Sequence, residues 1–151
     1  MTHSAEIVSD SLQMTSLFAS AAIAVYLVSF GYQVLQLRMK INAPTAVLRL
    51  AALVAIGLHS LAVADFLFSA DGLDLSLLKI FALISLIINT VVFCSGLRKP
   101  IQSLNLILFP LSAATVAAAL VSPSTKAAIM LPPSIQLHVL ISILAYSLLA
   151  M

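Results

Sequence analysis

Two histidines stand in apolar stretches of this chain, where an imidazole is an uncommon side chain. His59 lies near the middle of the stretch Leu50 to Phe68, and His138 lies in the first turns of the apolar stretch that follows Pro132-Pro133. Polar side chains are costly in hydrocarbon and are often functional there. Because a neutral imidazole can ligate haem iron or another metal, His59 and His138 are candidate ligands of haem iron or of another metal.

Other polar residues accompany His138 at intervals of four. Ser134, His138, Ser142 and Tyr146 share one face of a predicted helix, because residues four apart lie one above the other. The candidate partner for the second ring nitrogen of a ligating His138 is Ser142, one turn deeper, or a residue of a neighbouring span. Tyr146, two turns deeper, is predicted to pack and to form hydrogen bonds rather than to ligate iron.

A packing role is the alternative for both histidines. An interhelical hydrogen bond in a membrane bundle contributes about 0.6 kcal/mol. By helix rise, His59 would lie about 14 Å below the outer membrane edge and His138 about 6 Å below it. One haem held by both would require a tilted helix, so the sequence leaves open whether the two histidines share a ligand.

Catalytic chemistry has no support in the sequence. Cys94 is the single cysteine, which excludes a disulfide or a cysteine-based metal cluster within the chain. The sequence contains no His-Glu-x-x-His motif, no Ser-His-Asp order and no pair of intramembrane carboxylates. We therefore predict that the protein is not an enzyme. Its net charge of +2 does not favour nucleic-acid binding.

The composition predicts an integral membrane protein. Hydrophobic residues make up 62% of the 151 residues and charged residues only 8%, whereas soluble domains carry about 25% charged residues. The mean hydropathy is +1.18. The first ten residues include Glu6 and Asp10 and no Lys or Arg, so this segment is not predicted to be a cleavable signal peptide.

Charged residues and turn residues divide the chain into five predicted transmembrane helices. A helix needs about 20 apolar residues to cross the hydrocarbon core, and continuous apolar runs favour helices over barrel strands. The predicted spans form a single transmembrane domain over residues 1–151 and cover residues 14–36, 47–68, 77–97, 101–121 and 135–151. The predicted fold class is an all-α, polytopic membrane bundle.

The basic residues predict the orientation of this bundle. Arg38, Lys40, Arg49, Arg98 and Lys99 flank the first and third connections. Because Lys and Arg concentrate on the cytoplasmic side of membrane proteins, these connections are predicted to be inside. The N-terminus is then outside, and the fifth span runs inwards.

The fifth predicted span is short and has no basic or aromatic anchor at its inner end. Its residues 135–151 rise about 25 Å, less than the hydrocarbon core of about 30 Å. We therefore expect the chain to be the N-terminal part of a longer protein. The alternative is a tilted last helix.

Two charged residues near the predicted outer side have simple structural interpretations. Lys79 is expected to extend its side chain outwards to the membrane surface. Asp65 lies near the outer interface and is expected to be solvated rather than catalytic.

Four sequence features form a recognisable set. They are His59 before an acidic connection, Asp-Leu-Ser-Leu-Leu at 74–78, Leu-Phe-Pro at 108–110, and LHVLISILAYSLL at 137–149. Together they resemble the CcsA-type cytochrome c assembly superfamily, and in particular its HemX-like branch, over residues 47–151.

The resemblance implies a bacterial inner-membrane protein of about eight spans that handles haem during cytochrome c maturation. Carried over by position, its haem ligands would be His59 and His138. The chain contains no Trp, so it lacks the tryptophan-rich haem-binding segment of the large synthases, as the HemX-like branch does. The implied partners are the lipid bilayer, haem and other cytochrome c maturation proteins.

Two other functions stay open. One is a structural or regulatory membrane subunit whose histidines only pack. A fragment of a transporter is less favoured, because the first two and the next two spans show no internal similarity of the kind that transporter repeats produce.

Overall fold

The computed structural model describes residues 2–39, 44–69, 72–74, 76–97, 102–122 and 132–149. In these residues the chain forms five helices: α1 (Thr2–Met39), α2 (Thr45–Leu67), α3 (Leu77–Gly96), α4 (Gln102–Val121) and α5 (Pro133–Leu149). A two-residue antiparallel ladder, β1 (Phe68–Ser69) with β2 (Gly72–Leu73), lies between α2 and α3. The all-α fold predicted from the sequence is confirmed.

Four of the helices are long and apolar enough to cross a membrane. These segments are Gln13–Met39, Ala46–Leu67, Leu77–Gly96 and Ser103–Val121. Large apolar side chains also face outwards, such as Val28 (72% exposed) and Ile107 (69% exposed), as expected of a surface covered by lipid. The protein is therefore a multi-pass membrane protein. Helix α5 has 17 residues and rises about 25 Å.

The connection between α2 and α3 follows from local backbone chemistry. The chain leaves the helical conformation at Phe68, and the Asp74 amide then donates to the Leu67 carbonyl at 2.9 Å. Ser76 is extended, with ψ of 148°, immediately before α3. The short ladder thus reverses the chain, and α2 and α3 run in opposite directions.

A side-chain contact links two neighbouring helices at each end of the bundle. The Thr15 hydroxyl of α1 donates to the Asp65 carboxylate of α2 at 3.1 Å. The Arg49 guanidinium, at the start of α2, donates to the Gly96 carbonyl at the end of α3 at 3.4 Å. We call the end of the bundle that contains Asp65 the acidic end and the end that contains Arg49 the basic end.

Helix α4 packs against α1 and α3, and α5 packs against α3. Ser85 of α3 contacts Thr115 of α4, whereas Asn89, one turn further along α3, contacts Ser112. Because the residue number rises on α3 as it falls on α4, these two helices are also antiparallel.

Two clusters of buried side chains form the core of the bundle. The first consists of Ala19, Ala62, Val63, Phe66, Leu67, Ala82, Val116 and Ala119, and the second of Tyr26, Ala52, Ala55, Phe109 and Ala113. Small residues let membrane helices approach closely, which accounts for the many alanines. The second cluster contains Tyr26, and the hydroxyl of this tyrosine is part of the first candidate site.

Candidate functional site

His59 is enclosed in the bundle, with 0% of its surface exposed. Its Nδ1 atom lies 3.1 Å from the hydroxyl oxygen of Tyr26, which is also fully buried. The two rings meet edge to face, with centroids 5.7 Å apart and planes 88° apart. With the ring proton on Nε2, the tyrosine hydroxyl donates to Nδ1. The pair therefore links α1 to α2 inside the membrane-spanning region.

Tyr26 also contacts a third helix. Its ring lies against Phe109 of α4, with centroids 5.6 Å apart and planes 48° apart. Aromatic contacts of this kind contribute about 0.5–1.5 kcal/mol beyond the burial of apolar area. Tyr26 thus holds α1, α2 and α4 together around the imidazole.

The second ring nitrogen of His59, Nε2, is buried and makes no hydrogen bond within the described part of the chain. A buried polar atom in this state costs about 1–3 kcal/mol. Nε2 is therefore the atom of His59 with unused bonding capacity.

His138 occupies the opposite kind of environment. Its side chain is exposed on α5, as is that of Tyr146, while Ser142 is half-buried. Tyr146 is 73% exposed. Among the described residues, His138 and Ser142 make no hydrogen bond with each other, so the predicted support of the imidazole by Ser142 is not formed in this structure.

The structure does not bring the two histidines together. His59 lies among α1, α2 and α3, whereas His138 lies on the exposed side of α5, a helix that packs against α3. Within the described residues, His, Cys, Asp and Glu form no group of three or more that could hold a metal ion. Any ligand of His138 would therefore approach it from outside the five helices.

A second polar group joins α3 to α4. Asn89 Nδ2 donates to the Ser85 carbonyl at 2.8 Å and to the Ser112 hydroxyl. The hydroxyls of Ser85 and Thr115 lie 2.8 Å apart. Ser85, Asn89 and Ser112 are buried. The sequence had shown Ser85 and Asn89 four residues apart, and the structure supplies their partners on α4.

The expectation for Lys79 is wrong. Its Nζ atom donates to the Asp74 carboxylate at 2.6 Å, and the Lys79 residue is only 6% exposed. Asp74 also accepts the Ser76 amide at 3.0 Å. Asp74 lies five residues before Lys79, close to the start of α3. The ammonium group therefore pairs with this carboxylate instead of extending outwards. Asp65 is exposed, as expected.

Tyr26 was missed as a candidate site residue. It lies near the centre of the first apolar stretch, and His59 lies near the centre of the second. Consecutive spans are antiparallel, so their central residues lie at similar depth. The sequence therefore indicated that the two residues lie at a similar depth. It did not indicate the rotation of each helix, which decides whether the two side chains face each other.

Haem fits the two histidines differently. At His59, Nε2 is buried and Tyr26 occupies Nδ1, so a haem iron would have no access in this arrangement of helices. At His138 the imidazole is exposed, and its neighbours Leu137 and Ile141 present apolar surface (59% and 56% exposed). An exposed imidazole beside apolar side chains suits a planar apolar macrocycle with a coordinating metal.

Searches of family models, curated proteins and solved structures give no match to this chain.

Proposed function

We propose that this protein holds haem at the membrane surface as an accessory factor of cytochrome c assembly, with His138 as the iron ligand. The observation that carries the proposal is the exposed His138 imidazole on an apolar helix of a membrane bundle. The resemblance of residues 47–151 to the cytochrome c assembly superfamily supplies the identity of the ligand. The chain would bind and orient haem and would catalyse no reaction itself.

Tyr146 would support this site from the same helix, and Ser142 lies between it and His138. Both follow His138 at helical spacing, and Tyr146 lies about 12 Å further along the helix axis. The exposed tyrosine ring could contact the macrocycle or another protein subunit. His59 would take no part in this site, because it is enclosed.

The proposed location is a bacterial inner membrane with the N-terminus outside. Five of the seven Lys and Arg residues belong to the basic end of the bundle or to the connections beside it, which supports a cytoplasmic basic end. With that orientation, haem supplied to the outer side could reach a ligand near the start of α5.

The test is the haem content of the purified full chain expressed with added haem. Wild-type protein should show a haem absorption band, and H138A should lose most of it at equal expression and helicity. The matched control is S142A, on the same helix, which should keep more than half. Wild-type protein that binds no haem, or H138A that binds as much as wild type, would contradict the proposal.

A structural membrane subunit is the second candidate function. The buried pair of Tyr26 and His59 favours it, because its geometry accounts for one histidine without any ligand. In the haem experiment this alternative predicts no absorption band for the wild type and for every variant.

A further inference from the structure

A cleft opens between the ends of three helices at the basic end of the bundle. Its walls come from the start of α2, the end of α3 and the start of α4. The lining residues are Leu48, Arg49, Ala52, Val92, Phe93, Gly96 and Asn105. We call this the basic-end cleft. Neither histidine lines it, and it has no part in the proposed function.

The basic-end cleft is polar at its mouth and apolar at its floor. Arg49 and Gly96 lie at the mouth, where the guanidinium reaches the Gly96 carbonyl. Ala52 lies one turn deeper along α2, and Val92 one turn deeper along α3. Both are nearly fully buried, at 4% exposure each. One helical turn, about 5 Å, therefore separates a charged group from an apolar floor.

The mouth of the cleft favours an anion. Arg49 is exposed, and its only hydrogen bond in the described part of the chain is the long one to Gly96, at 3.4 Å. A guanidinium carries five N–H donors in a fork that matches phosphate. The side chain of Asn105, in the first turns of α4, is half-buried and makes no hydrogen bond within the described residues. It adds an amide donor to the same mouth.

Among the described residues, no acidic side chain lies at the mouth. The five Asp and Glu residues are at positions 6, 10, 65, 71 and 74, and Asp65 marks the other end of α2. Helices α2 and α4 begin at the basic end, whereas α3 ends there at Gly96, so their dipoles largely offset one another. The positive charge at the mouth is therefore that of the Arg49 guanidinium.

We propose that the basic-end cleft binds an anionic phospholipid, with the phosphate at Arg49 and Asn105 and the start of an acyl chain against Phe93, a half-buried apolar residue of the lining. The lining matches both halves of such a molecule, and the surrounding helices span the membrane. Basic pockets between transmembrane helices bind acidic headgroups in other proteins. An inorganic phosphate ion would use only the polar mouth and would leave Phe93 without a contact.

The test uses the full chain in nanodiscs that contain equal amounts of phosphatidylglycerol and phosphatidylcholine, followed by native mass spectrometry of retained lipid. Wild-type protein should retain phosphatidylglycerol in preference. R49Q should lower its retention about fivefold, which corresponds to about 1 kcal/mol for one basic side chain near an acidic lipid. The control is R38Q, an exposed arginine at the end of α1 that does not line the cleft, which should change retention less than twofold.

Further arms keep the result decisive. N105A should also weaken retention, and it serves if R49Q fails to assemble. Equal effects of R49Q and R38Q would show only diffuse surface attraction and would overturn the proposal. Displacement of phosphatidylglycerol by millimolar inorganic phosphate would assign the mouth to a free anion and would also overturn it.

Discussion

The hydroxyl oxygen of Tyr26 lies 3.1 Å from Nδ1 of His59, and both residues are shielded completely from the surroundings of the bundle. This contact joins α1 to α2 through two residues that are 33 positions apart in the chain. It gives His59 a structural role that does not depend on any ligand.

Removing the tyrosine hydroxyl should destabilise the bundle modestly. In Y26F, Nδ1 of His59 loses its partner, and the expected loss is about 0.6 kcal/mol, the average for such bonds in membrane proteins. Unfolding by sodium dodecyl sulfate, followed by circular dichroism, measures the loss. The control is Y32F, because Tyr32 is 38% exposed. If Y26F and Y32F unfold alike, the contact contributes nothing.

A double-mutant cycle with Y26F and H59L separates the bond from packing. Because the two side chains touch, the double variant should lose about 0.6 kcal/mol less than the sum of the single variants. Additive losses would mean that the ring packing, and not the hydrogen bond, stabilises the pair.

Asn89 should be the strongest polar link between α3 and α4. N89L removes the side-chain amide that donates to the Ser85 carbonyl and the Ser112 hydroxyl. We expect the free energy of unfolding to fall by about 1–2 kcal/mol, because Ser112 is left buried without this partner. The control is T90V, since Thr90 is exposed and bonds only to its own helix, at the Leu86 carbonyl. Comparable detergent-unfolding midpoints for N89L and T90V would contradict this role.

The contact between Asp74 and Lys79 should stabilise the acidic end. D74N keeps a side-chain oxygen that can accept the Ser76 amide but removes the negative charge beside Lys79. Leaving one buried charge unpaired costs about 3 kcal/mol. D65N is the control, because Asp65 is exposed and its contact is with Thr15. A midpoint for D74N within the range of D65N would show that water pairs with Lys79 instead.

The orientation can be measured by thiol labelling in intact cells. With Cys94 replaced, cysteines at Ser4 and Ser124 should react with a membrane-impermeant reagent, and a cysteine at Asn42 should react only after the cells are opened. The expectation follows from the five basic residues near the connections at 40–43 and 98–101, because Lys and Arg concentrate on the cytoplasmic side. Labelling of Asn42→Cys in intact cells would reverse the topology.

The membrane-spanning helices could be predicted from the sequence because hydropathy is a local property. Long uncharged apolar runs can satisfy their backbone groups in lipid only as helices, so the runs themselves indicate the all-α fold. The predicted spans 77–97 and 101–121 lie within one residue of α3 and α4 at each end. Lys79 shows the limit of this reasoning, because its ion pair with Asp74 depends on how the chain turns before α3.

Only part of the candidate site could be predicted from the sequence. Hydropathy and spacing predicted that His59 and His138 lie in apolar helices and that His138 shares a helical face with Ser142 and Tyr146. The tertiary structure decided that His59 is enclosed by Tyr26 while His138 is exposed. The physical reason is that spacing along a helix fixes which residues share a face, whereas helix rotation and packing decide what that face meets.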